Sequence, residues 1–221
     1  MSVFEIIYKY KEGFISGLQV TFSLCLIIWV SGLIFGSLLG VLSQRYKVGI
    51  GLPTRGISFF LSGVPVLVFL FWLHYPFQQL IGQNFDPFIT TAFTISLINI
   101  FAVADVVRNA INDLPSQYID AAKVCGISTK NRLWKIEFPI IFRYVLPSFL
   151  ITQVNMLQLT LFGSLISVNE IFRVSQQINS QIYQPVEIYT ALGFFFLIVC
   201  LPINGVAMYL KYKYARNISE R

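Results

Sequence analysis

The 221-residue chain is 56% hydrophobic and only 12% charged, about half the charged share of roughly 25% found in soluble domains, which excludes an ordinary soluble domain. Its formal net charge of +6 does not indicate nucleic acid, because the basic residues stand in short clusters beside apolar runs and form no continuous basic face. Such clusters report the orientation of a polytopic membrane protein, whose cytoplasmic loops are enriched in Lys and Arg.

A helical span needs about 20 apolar residues to cross about 30 Å of hydrocarbon, and five segments qualify, at 14–42, 56–75, 88–107, 144–168 and 188–210. The first run has no net basic flank before it, since Lys9 and Lys11 are balanced by Glu5 and Glu12, and no small-residue cleavage pattern after it, so it reads as a retained span. It is long enough to tilt, and Gly32, Gly36 and Gly40 give it a flat stripe for close helix contact. The connection at 43–55 carries Arg45, Lys47 and Arg55 with no acid. At the far end of the second span, His74 stands between Trp72 and Tyr75 and reads as an interfacial aromatic-belt residue. The third span ends with Asp105, the one acid well inside a span, and Arg108 three residues later on the same helical face, which predicts a local intramembrane ion pair.

The loop at about 108–143 holds six basic residues. Asp113, Leu114 and Pro115 read as a helix start and Gly126 as a helix stop. Ser128 reads as the cap of a second short helix that closes before Pro139, with Pro147 at the start of the fourth span. The loop is thus predicted as two short surface helices presenting Asp120, Ala121, Ala122 and Gly126 as a smooth knob, or alternatively as a plain hairpin between spans. In the fourth span Asn155, Gln158, Thr160 and Ser164 form a polar stripe that would either lock helices together or line a solute path. The segments at 76–87 and 169–187 are poor in Lys and Arg, whereas the tail carries Lys211, Lys213, Arg216 and Arg221. Together these place the amino terminus outside and the carboxyl terminus in the cytoplasm.

Chemistry is hard to find. The three cysteines, Cys25, Cys125 and Cys200, show no metal or redox spacing and read as small packing residues. No G-x-x-x-x-G-K-[ST] is present, so the chain lacks the phosphate-cradling loop that would let it hydrolyse ATP in that way. No nucleophile set or carboxylate pair supports an intramembrane enzyme, and neither a cofactor nor a metal is expected.

The run Arg108, Leu114-Pro115, Gln117, Asp120-Ala121-Ala122 and Gly126, followed by Pro139 and Pro147, resembles the "EAA" loop of ABC-importer permeases, with Asp120 where that family usually has Glu. Gly17-Leu18-x-x-Thr21-x-Ser23-Leu24, Gly63-x-Pro65-x-Leu67-Val68 and Ser164-x-Ile166-Ser167-Val168-x-Glu170 are similar to other motifs of the polar-amino-acid uptake subgroup. The resemblance implies an all-α, five-span permease domain covering 1–221 in the bacterial cytoplasmic (inner) membrane. It further implies cytoplasmic ABC ATPase subunits that bind ATP, a second permease as homo- or heterodimer, and an extracytoplasmic solute-binding protein. The solute implied is a polar amino acid. Two departures bear on which one: Gln158, Leu159, Thr160 and Leu161 stand where the subgroup often has Lys-Asp-Thr-Ser, and Ser62 replaces an arginine common before Gly63. The competing reading is a stand-alone channel or secondary transporter, which needs no ATPase but leaves the alanine-glycine knob without a purpose.

Overall fold

The computed structural model describes residues 2–219, with side chains described as far as Tyr214. Arg221 therefore lies outside the described residues, as does the side chain of Arg216. Among the described residues the chain is built of helices without a strand, as expected where lipid offers no partner for backbone polar groups.

Helix α1 (Val3–Lys9) starts on a reciprocal cap between Ser2 and Glu5. Helix α2 (Lys11–Arg45) runs unbroken through a π-turn at Gly32–Gly36. After it come α3 (Lys47–Gly63) and α4 (Val66–Ile81), meeting at an angle of 98°. Helix α5 (Pro87–Asn112) begins on an Asp86 cap, whose carboxylate accepts the Phe88 N–H at 2.7 Å. The remaining helices are α6 (Ser116–Val124), α7 (Thr129–Ile166), α8 (Ile171–Ile182) and α9 (Pro185–Ser219). Helices α2, α5, α7 and α9 are long and apolar enough to cross a bilayer, and the bent pair α3–α4 gives a fifth span when its two arms are counted as one broken span.

The structure corrects the sequence reading at several points. The second span is not a straight helix over 56–75 but breaks at Gly63-Val64-Pro65. Pro65 cannot donate a backbone hydrogen bond and forces the preceding residue out of the helical region; Val64 accordingly sits at φ −100°, ψ 126°. The helix opened by Ser128 does not close before Pro139 but continues as α7. A π-turn at Leu133–Glu137 directly precedes Pro139, and its wider spacing moves aside the carbonyl that the proline ring would meet. Pro147 lies inside this helix instead of at its start, as membrane helices tolerate. Helix α8 was expected only as a connection; its Ile171, Val174, Ser175 and Ile178 are buried on one face.

Helix α5 is the central post, with α2, α3, α4 and α7 packed around it. The glycine stripe explains how α2 comes so close. A Cβ added at Gly36 would lie 2.8 Å from the Ile100 carbonyl oxygen, and one at Gly40 2.8 Å from that of Ala104. At Gly32 the space is filled by the carboxamide of Asn99. That carboxamide donates to the Ile28 carbonyl (2.8 Å) and to Gln153 Oε1 (3.0 Å), while Gln153 Nε2 returns a bond to Asn99 Oδ1 (3.3 Å). Trp29 Nε1 donates to the Gln153 carbonyl at 3.1 Å. One buried polar brace therefore ties α2, α5 and α7 together, each polar group answered by another.

Around this brace lie an apolar cluster including Leu24, Ile28, Leu70, Ile95 and Met156 and a second one formed by α1, α8 and the start of α9. Cys25 and Cys200 pack into a third with Val154 and Leu157. Much of the rest of the apolar surface is uncovered by the chain itself, including Phe59, Phe60 and Ile198. In water that surface would be a liability; for a membrane subunit it is where lipid and partner helices lie.

Candidate functional site

Three places in the fold gather the residues singled out in the sequence. The first is the loop. Helix α6 ends on a Schellman cap, in which the Gly126 N–H donates to the Lys123 carbonyl and the Ile127 N–H to the Ala122 carbonyl, both at 3.0 Å. Gly126 takes the left-handed conformation at φ +69°, which a glycine adopts without penalty. Asp120 pairs with Lys123 at 3.1 Å on the exposed face. Ala121 and Gly126 are exposed as well, and Val124 is 88% exposed.

Ala122 is not part of that surface. It is 3% exposed, on the inward side of α6 with the half-buried Tyr118 and Ile119, and the neighbour on that side is the Leu133–Glu137 turn. Two adjacent residues on a helix differ by about 100°, and here that turn carries Ala122 onto the inward side while Asp120 and Ala121 stay exposed. The turn beneath them is stiffened from within α7 by Arg132, whose Nε donates to Glu137 Oε1 at 2.7 Å.

The second place is the fourth span, where the four polar residues separate onto two faces. Asn155 and Gln158 are exposed, with Ile151 and Leu165, although the Gln158 side chain also reaches the Cys200 thiol. Thr160 and Ser164 are fully buried, and their hydroxyls donate to the Leu157 and Leu161 carbonyls at 2.7 Å. Five residues of helix turn Thr160 about 140° away from Asn155, and the chain tightens to a 3-10 helix over Thr160–Ile166. The single stripe expected from the sequence is thus two sets with different surroundings.

The third lies at the helix break. A cleft of about 590 Å³ is lined by Ser58, Ser62, Gly63, Pro65 and Asp105, among others. Irregular backbone at membrane depth is sustained where it lines a cavity. Asp105 Oδ1 accepts from Arg108 Nη2 at 2.5 Å, and its Oδ2 accepts from the Ser58 hydroxyl, joining α5 to α3.

Two of the sequence motifs meet at the opposite end of α2. Gly17 lies so close to α8 that an added Cβ would stand 2.9 Å from Ile171 Cα. Thr21 Oγ1 accepts the Ile171 N–H at 3.1 Å. Next to it the fully buried Glu170 caps α8, its two oxygens accepting the Phe172 and Arg173 N–H groups at 2.8 Å each. Burial pushes the Glu170 carboxyl up to about 7, although those two backbone bonds pull the other way. His74, read as a belt residue, sits 3.2 Å from Gln78 Nε2 and edge-on to Tyr75. The brace of Asn99 and Gln153, and the role of Glu170, escaped the sequence reading; single polar residues within apolar runs were the available signal.

With this geometry the comparisons with known proteins agree. Residues 32–216 match the family described as binding-protein-dependent transport system inner membrane component. The chain belongs to that family. Among curated members, it is 23% identical to the histidine/lysine/arginine/ornithine transport system permease protein HisQ of Salmonella typhimurium, over 97% of this chain and 98% of that protein. It is 27% identical to the L-cystine transport system permease protein TcyB of Bacillus subtilis, over 92% and 87%. A chain of the crystal structure of an amino acid ABC transporter with histidines superposes with a TM-score of 0.82 at 22% identity, covering 94% of this chain and 96% of that one. A chain of the MetNI methionine ABC transporter in an inward-facing conformation gives 0.68 at 14% identity, over 96% and 97%. This family member is therefore an inner-membrane permease subunit of an ABC importer and not an enzyme, and a stand-alone channel or carrier is not favoured. Such permeases work with ATPase and solute-binding subunits.

Proposed function

We propose that the chain imports a polar amino acid or a similar small solute by alternating access, in a bacterial cytoplasmic membrane, with its amino terminus outside and its carboxyl terminus in the cytoplasm. The observation that carries this reading is the α6 surface. Asp120, Ala121, Val124 and Gly126 form a small, capped, exposed feature on the Lys- and Arg-rich side, left uncovered among the described residues. A cytoplasmic ATPase docks there and binds and hydrolyses the ATP. The Leu133–Glu137 turn, which packs under α6 and is stiffened by the Arg132–Glu137 pair within α7, passes its movement into the rest of α7. A second permease, identical or related, lies against the exposed faces of the spans, and an extracytoplasmic solute-binding protein delivers the solute.

Within this assembly Asn155 and Gln158 are the exposed fourth-span groups that meet solute, and the cleft at the Gly63–Pro65 break, with Asp105 in its wall, is the second candidate stretch of the path. Thr160 and Ser164 serve packing. The amino-acid class rests on what the named relatives carry. No cofactor of the chain's own enters the cycle.

The test is uptake of labelled polar amino acids by cells expressing the permease with its partner ATPase, intact or with the ATPase's catalytic glutamate replaced. Uptake should vanish with the inactive ATPase. Uptake that persists without ATP hydrolysis would return the chain to the channel or carrier class.

A further inference from the structure

We propose that the cleft between α2, α5 and the first turns of α7 is a binding site for an anionic phospholipid with a hydroxyl-bearing head group, phosphatidylglycerol being the simplest. The cleft is about 540 Å³ and is walled by Val41, Val107, Ile111, Phe138, Ile141 and Phe142, among others. Along α7, Trp134, Phe138 and Phe142 form a ladder with ring centroids 5.6 and 6.1 Å apart. All three are more than half exposed, so among the described residues their outer faces are uncovered.

The polar groups gather at one end. Arg45 lines the cleft and has no carboxylate partner among the described residues; its guanidinium rests over the Tyr46 ring at 5.6 Å. The other charged residue in the wall, Glu137, is already neutralised by Arg132. The cleft therefore presents one free positive charge above an apolar slot. Beside it, Gln44 Nε2 donates to Asn112 Oδ1 at 2.6 Å, but Gln44 Oε1 is buried without a donor. A buried acceptor left unanswered costs free energy, and it asks for an O–H or N–H from whatever fills the cleft.

The dimensions and place select lipid over a protein segment. Arg45 is the last residue of α2 and Ser37, at the other end of the lining, lies eight residues earlier, which is about 12 Å of helix running into the hydrocarbon. An acyl chain fits that slot, its phosphate on Arg45 and a head-group hydroxyl on Gln44. Trp134 sits at the level where interfacial tryptophans anchor. Basic pockets between spans on the cytoplasmic side favour anionic head groups.

The experiment is native mass spectrometry of the full-length permease in its complex, titrated with phosphatidylglycerol, phosphatidylethanolamine and phosphatidylcholine of the same acyl chains. Phosphatidylglycerol should bind most tightly. Arg45→Gln should weaken it about fivefold, the worth of one basic residue near an anionic surface, and should leave phosphatidylcholine unchanged. Arg55→Gln, an exposed basic residue outside the cleft, should change neither. Val41→Trp, which fills the slot, should displace all three. The proposal is overturned if Arg45→Gln and Arg55→Gln act alike, or if the three lipids bind equally. It is overturned too if Phe142→Cys cross-links two permease copies across the cleft while lipid adducts are absent, since a second copy would then be the occupant.

Discussion

The contact of α2 with α5 and the surface of α6 use small residues for opposite ends. In the first, Gly32, Gly36 and Gly40 let one helix come within touching distance of another, and the polar side chain admitted there, Asn99, is wholly consumed by the chain's own groups. In the second, Ala121 and Gly126 leave open space: nothing lies within 4 Å of where a Gly126 Cβ would stand. A small residue against another backbone is packing, whereas one facing open space on a capped, exposed turn leaves room that a partner can take. The two regions should accordingly fail in different ways when side-chain volume is added.

The largest effect on the permease itself belongs to Gly36→Val. Its Cβ meets the backbone oxygen of Ile100 and the Val103 side chain, each at 2.8 Å, so α2 must move bodily. Overpacking of this kind costs about 1–3 kcal/mol or more, and the expected outcome is a lower unfolding temperature in detergent and less permease in the membrane. An unchanged melting curve would mean that α2 and α5 are not in contact. Next comes Asn99→Ala, which strips the Gln153 carboxamide of its partner. Polar contacts between membrane helices are worth about 0.6–1.7 kcal/mol, and the same melting assay should show a smaller loss.

A further prediction concerns Glu170. Its carboxyl in the fold is raised to about 7 from 4.5, so between those values the folded state holds a proton that the unfolded state has released. Stability must then fall as the pH rises through this window and level off above it. Glu170→Gln should flatten the slope between pH 4.5 and 7 in a thermal-unfolding series; the same slope in both proteins would remove Glu170 as its source. The smallest effects are expected in the fourth span. Thr160→Val loses only a bond to its own helix and should cost about 0.6 kcal/mol with uptake retained. Asn155→Leu and Gln158→Leu should leave stability unchanged and lower uptake. If Thr160→Val proves the more damaging to uptake, the assignment of faces is inverted.

Much of this was legible in the sequence because it depends on one residue at a time or on spacing along one helix. The apolar runs, the glycine stripe and the stop at Gly126 are of this kind. What was not legible depends on direction or on a distant partner. A proline announces a break but not its angle, so Gly63-x-Pro65 did not reveal a 98° bend. A proline after a π-turn reads in sequence like a helix terminus, which hid the continuity of α7 through Pro139. Ala121 and Ala122 are alike in chemistry and differ only in the side of α6 they occupy. The stripe of Asn155, Gln158, Thr160 and Ser164 mixed two faces because nearness in sequence was read as a shared face, although Thr160 already lies about 140° round the helix from Asn155. The pairing of Asn99 with Gln153 crosses 54 positions and had no local trace.

The central claim, that α6 is held by a separate ATPase, is best tested at Ala121 and Val124. Gly126→Asp is less clean, because its φ of +69° strains any side chain and damages the cap along with the surface. Ala121→Trp and Val124→Asp add bulk or charge at exposed helical positions. The measurement is co-purification of the ATPase with wild-type and variant permease in detergent, beside the melting temperature of the permease. A disrupted fitted contact costs about 1–3 kcal/mol, so the ATPase should bind roughly 5- to 150-fold more weakly, at an unchanged melting temperature and with uptake lost. Variants that keep both the ATPase and full uptake would contradict the account and make α6 an ordinary hairpin between two spans.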